Sequence, residues 1–144
     1  IARFTIGKLA DRKGALSVLV PCHLLTIVMY LILIFFAGKS YVMYLVAGGV
    51  YGFSTAMVMP VLNAVAVVDS PKERSGAANA SFYFLNDFGI LIASAAYGPI
   101  IDAAKTPTEG YHKIFYISIA VCLISCIMCI VFFNEKARER RRAE

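Results

Sequence analysis

Gly7-Lys8-Leu9-Ala10-Asp11-Arg12-Lys13-Gly14 runs directly into an apolar stretch at residues 15–37. A charged turn bracketed by glycines, set against a run of membrane length, decides the fold. A helix needs roughly 20 predominantly apolar residues to cross a hydrocarbon core of about 30 Å, and this run provides them. Three more follow, at residues 41–68, 76–101 and 114–133. The sequence therefore predicts an all-α membrane protein with four transmembrane helices and a charged tail at 134–144.

Composition agrees with that reading. Of the 144 residues 60% are apolar and only 16% charged, with mean hydropathy +0.73, where a soluble domain carries about 25% charged residues. None of the runs is a signal peptide, because all are long and no small-residue cleavage site follows an early basic region. Eleven of the fourteen Lys and Arg residues lie before the first run, between the second and third, or after the fourth. Lys39, Lys105 and Lys113 alone fall on the opposite side. This bias predicts that both ends of the chain and the middle loop are cytoplasmic. The net charge of +5 thus reads as topology and attraction to anionic lipid, not as a nucleic-acid footprint.

The joints carry helix signals. Gly38-Lys39-Ser40 reads as a three-residue hairpin, a Gly stop followed by a Ser start. In Ser70-Pro71-Lys72-Glu73, Ser70 suits an N-cap, Pro71 the first helical position and Glu73 the third residue of a capping box. The stretch 102–113 reads as the longest internal loop, on the external side.

Polar residues concentrate in the two middle runs, which are expected to face protein or water while the outer two face lipid. Asp87 is the sharpest of them. It lies 11 residues beyond Gly76, about 16 Å along a helix at 1.5 Å per residue, near mid-bilayer. An ionised carboxylate is expensive there, and intramembrane acids mark proton or ion pathways. Asp87 is accordingly a proton-coupling candidate, with a structural carboxylate bonded to Asn63 or Asn86 as the alternative. Gly76, Ala80, Asp87, Ser94 and Gly98 share one stripe, and Gly48-x-x-x-Gly52 with Ala56 reads as a packing face. Pro60 removes a backbone bond close to Asn63. Ser54, Thr55, Asn63 and Asn86 are the candidates for contact with a solute in a cavity. His23 reads as a hydrogen-bonded packing residue. Cys22, Cys122, Cys126 and Cys129 read as small apolar packing residues. No enzyme constellation, metal-ligand set or cofactor motif is present.

Gly7-x-x-x-Asp11-Arg12-Lys13-Gly14 resembles the cytoplasmic loop signature of the major facilitator superfamily, which lies after the second helix with a weaker copy after the eighth. Ala15-Leu16 stands where that family usually places two basic residues, which fits the weaker copy. Pro71-Lys72-Glu73-Arg74-Ser75-Gly76 resembles the entry to the family's eleventh helix, and Tyr97-Gly98-Pro99-Ile100-Ile101-Asp102 resembles its outer end. The resemblance implies helices nine to twelve of a twelve-helix secondary transporter, of the proton-coupled drug or metabolite exporter type. It implies a fragment beginning at Ile1 whose partners are the missing N-terminal helices, protons, a small-molecule solute and the bilayer of the plasma membrane. Gly7, Asp11, Arg12 and Gly14 would form the gating loop. Two other readings stand beside it: a complete four-helix exporter acting as a dimer, and a four-span assembly protein that transports nothing.

Overall fold

A computed structural model describes residues 14–36 and 40–143, with side chains as far as Glu135. Four long helices account for nearly all of it: α1 Leu16–Phe36, α2 Tyr41–Val68, α3 Ser75–Asp102 and α4 Pro107–Ala143. A single 3-10 turn, Lys72–Arg74, precedes α3. All four are long and apolar enough to cross a membrane. The chain divides into two compact units, one formed by Ile1–Val61 with Ser118–Glu144, the other by Leu62–Ile117.

Gly14 opens the described chain at φ 84°, a left-handed conformation that glycine adopts without steric cost. The Ser17 hydroxyl donates to the Gly14 carbonyl at 2.7 Å, and Leu19 N–H to Ala15 O at 3.0 Å starts the regular ladder of α1. Gly38 and Lys39 of the expected hairpin lie outside the described residues.

The first unit packs around Val18, Cys22 and Met57, with Val58 and Val61 against them. α1 contributes six buried residues: Val18, Leu19, Cys22, His23, Met29 and Ile34. From α2 come Ala47, Ser54 and Met57. Ala47 and Ser54 are seven residues apart and so share a helix face. Gly48 and Gly52, expected to form the packing stripe of α2, are exposed. A Cβ built on either would meet nothing within 4 Å. The large side chains of Met57, Val58 and Val61 occupy the contact instead.

Burial is unevenly shared among the helices. α1, read as lipid-facing, has the most buried residues, and α3, read as protein-facing, has none. Polar groups of α1 bond within the first unit through His23 and Thr26, and those of α3 bond within the second through Asn79, Asn86 and Ser94.

Two helix starts differ from the sequence reading. Ser70 does not cap α3, since no side-chain cap bond forms there. Its hydroxyl donates backwards to Ala66 O at 2.8 Å, because the last turn of α2 still runs beneath it and offers the nearer acceptor. The 102–113 loop shrinks to residues 103–106. Thr106 receives the Glu109 N–H on its Oγ1 at 3.3 Å, and Gly110 N–H reaches Thr106 O at 3.1 Å. With Pro107 in the first helical position, Thr106-Pro107-Thr108-Glu109 is the N-terminal capping signature. Gly110 is buried at this corner, where a Cβ would stand 3.0 Å from the Cα of Ile101. Glu109 pairs with Lys113 at 2.8 Å one turn on.

Candidate functional site

Within the second unit, the end of α2 and the length of α3 carry the polar residues singled out in the sequence. Asn63 lies five residues before the end of α2 and Asn79 four residues into α3. The Nδ2 of Asn63 donates to the Oδ1 of Asn79 at 2.8 Å. Asn63 Oδ1 is shielded from solvent and has no hydrogen-bond partner, although buried polar atoms are nearly always bonded. Asn79 was not singled out as a site residue. Its spacing offers the signal, because it precedes Asn86 by seven residues and so lies on the same stripe of α3.

Asp87 is exposed on α3. Its Oδ1 accepts the Nδ2 of the half-buried Asn86 at 3.3 Å, so Asn86, not Asn63, is its amide partner. Phe84 and Phe88 flank it one turn apart, with rings stacked at 6.1 Å between centroids. Two helical turns beyond Asp87, the Ser94 hydroxyl donates to Ile90 O at 2.8 Å. The small-residue stripe is open along this face: Cβ atoms built on Gly76 or Gly98 would meet nothing within 4 Å.

Ser54 and Thr55 lie in the first unit. Ser54 is fully buried, and its Oγ sits 3.0 Å from the Oγ1 of Thr26. Each hydroxyl also has a carbonyl acceptor one turn back on its own helix, Tyr51 for Ser54 at 3.1 Å and Cys22 for Thr26 at 3.0 Å. Thr55 beside it is half-buried.

His23 is buried in the same unit. Its Nδ1 lies 2.8 Å from Leu19 O, and a carbonyl only accepts, so Nδ1 carries the proton. Nε2, 3.1 Å from Ser125 Oγ, then accepts the hydroxyl proton. Cys122 Sγ donates to the His23 carbonyl at 3.6 Å, and Cys22 Sγ lies 3.8 Å from Met57 Sδ. All four cysteines are free thiols. Among the described residues no group of three or more His, Cys, Asp or Glu is placed to hold a metal ion. Of the gating-loop residues, Gly14 is seen, while Gly7, Asp11 and Arg12 lie outside the described residues.

Four membrane-length helices, with polar side chains gathered on two of them and a carboxylate inside the third, define a multi-pass membrane protein. The chain belongs to the Major Facilitator Superfamily, whose family profile matches residues 1–144. It is 28% identical over 136 residues to the "Multi-drug resistance efflux pump PmrA" of two Streptococcus pneumoniae strains. The match covers 90% of this chain and 31% of each relative, so the chain spans about a third of the length of those proteins. No solved structure matches it.

Proposed function

We propose that this chain is the carboxyl-terminal part of a secondary active exporter of small solutes, corresponding to helices nine to twelve of a twelve-helix protein. Alternating access would be coupled to protons, and Asp87 is the coupling residue. The observation that carries this reading is Asp87 itself. It is an exposed carboxylate twelve residues into a 28-residue apolar helix, with an amide at 3.3 Å as its partner. A group so expensive to hold in a membrane marks an ion or proton path. The efflux-pump names of the relatives and the absence of enzyme constellations in the sequence favour transport over catalysis.

In this reading both ends of the chain are cytoplasmic, in the plasma membrane, and the remaining helices complete the solute path. Asn63 and Asn86 line that path. Ser54 fastens α2 to α1 through Thr26, and Thr55 is a further candidate for solute contact. Asp11, with Gly7, Arg12 and Gly14, gates it by interaction with a helix N-terminus.

The test uses the full-length protein in proteoliposomes with an imposed pH gradient and a panel of lipophilic solutes. The wild type accumulates solute against its gradient when protons flow the other way. Asp87→Asn abolishes accumulation while solute counterflow without a gradient persists. Undiminished proton-driven accumulation by Asp87→Asn overturns the coupling role.

A further inference from the structure

We propose that Cys22 and Met57 form a two-sulfur site for one soft monovalent cation, Cu(I) or Ag(I), bridging α1 and α2. The Cys22 thiol donates to the Met57 Sδ at 3.8 Å, and the two residues are only 3% and 4% exposed. Val18, Val58 and Val61 pack around them, and their side chains supply neither oxygen nor nitrogen. Both sulfurs lie in the first unit.

The direction of the thiol is the informative part. Cys122 turns its thiol to an oxygen, the carbonyl of His23. Cys22 turns its own to a thioether on another helix, so two soft donors from different elements converge inside an apolar cluster. Thiolate and thioether ligands select Cu(I), whereas hard ions such as Mg(II) and Ca(II) take oxygen. Ag(I) has the same charge and a similar softness.

Charge and coordination number narrow the ion further. On binding, the Cys22 S–H bond breaks, a sulfur–metal bond forms and the proton leaves to bulk water. The sulfur anion and a monovalent cation cancel, so the occupied site stays neutral, as burial in a membrane-length helix pair demands. A divalent ion would leave a net positive charge there. Zn(II) also calls for four ligands, and among the described residues no group of three or more His, Cys, Asp or Glu is placed to hold a metal ion. A linear two-coordinate ion with metal–sulfur bonds of about 2.3 Å holds its sulfurs about 4.6 Å apart, against 3.8 Å with the thiol protonated. Met57 makes up that difference by rotation along its unbranched chain. Cys22 stands six residues after Leu16, the first of α1, about 9 Å along the axis, so an ion reaches it from that end without crossing the full span.

The probe is Ag(I), which lacks the redox chemistry of Cu(I). It is added as silver nitrate, in chloride-free buffer, to the purified full-length protein in nanodiscs after its thiols are reduced and the reductant removed. Equilibrium dialysis with elemental analysis counts bound silver. Wild type should hold a single equivalent that Cys22→Ala lacks. Met57→Leu conserves volume and should keep the melting temperature of the silver-free protein. It should weaken that equivalent about tenfold, or about 1.4 kcal/mol. Combined Cys122→Ala, Cys126→Ala and Cys129→Ala should leave it in place. The X-ray absorption difference between wild type and Cys22→Ala should show silver with two sulfur neighbours. Equal silver content in those two proteins overturns the proposal. So does an affinity unmoved by Met57→Leu, which leaves the thiol binding alone. Loss of the equivalent with the α4 thiols overturns it as well, because the site then belongs to that helix.

Discussion

The first unit and the α3 face of the second treat polar residues in opposite ways. Around α1, His23 uses both ring nitrogens, on Leu19 O and on Ser125. Thr26 and Ser54 each have a carbonyl one turn back as well as each other. Along α3, Asp87 has an amide at 3.3 Å, and across from Asn79 an oxygen of Asn63 has no partner. Both regions lie in helices of membrane length, where an unmatched polar group is costly. The closed set therefore reads as the fastening of a helix bundle, and the open one as a surface awaiting something from outside these residues. Burial alone would mislead, because the most buried polar residues are the ones with least left to offer a solute.

Five substitutions test that contrast. The largest effect is expected at the open end. Asp87→Asn removes the charge from the middle of α3, and coupled transport should fall on the order of a hundredfold in a proteoliposome assay, with thermal stability unchanged or raised. A loss of stability would place Asp87 with the fastened set instead. Next, His23→Leu opens the closed set by leaving the Ser125 hydroxyl and the Leu19 carbonyl without their partner. It should cost about 2 kcal/mol, read as a lowered melting temperature in nanodiscs, with the pH dependence of transport kept. An altered pH profile would make His23 functional.

Gly110→Ala probes the corner between α3 and α4. Its new methyl would stand 3.0 Å from a backbone atom of Ile101, which cannot yield as a side-chain tip can. About 1.5 kcal/mol should be lost in the same thermal assay. The smallest expected effects separate two turns with one spelling. Thr106→Ala should cost about 1 kcal/mol as the loss of a helix cap. Ser70→Ala, whose hydroxyl makes no cap, should stay within about 0.5 kcal/mol. Equal effects at the two positions would erase the distinction.

Those two turns also show how far the sequence could be read. Ser70-Pro71-Lys72-Glu73 and Thr106-Pro107-Thr108-Glu109 obey the same capping rule, and only the second caps. The difference comes from what precedes them. α2 is still hydrogen-bonded at Ser70, through Asp69 N–H to Val65 O and Ser70 N–H to Val67 O, so a carbonyl competes for the hydroxyl. At Thr106 the preceding helix has ended. The four spans were legible because hydrocarbon thickness demands their length, a constraint that acts on each segment alone. Partners were not legible, because they depend on which helix faces sit together. The sequence offers Asn63 as a solute contact or as a bond to Asp87, and it meets Asn79, sixteen residues away. His23 as a packing residue followed from its apolar surroundings, but its tie to Ser125, 102 residues on, did not.

The corner at residues 103–106 bears on how the protein enters the bilayer. α3 carries Asn79, Asn86 and Asp87 and is a reluctant candidate for lateral release from an insertion channel, since each such residue raises the free energy of a helix in lipid. α4 carries two serines as its polar residues between Ile114 and Phe133 and partitions readily. Four connecting residues, with Gly110 seated against Ile101, leave no slack for the two to insert apart. The greasy helix thus draws the polar one in as a hairpin, and lengthening that corner would expose α3 to mis-insertion before it changed any step of transport.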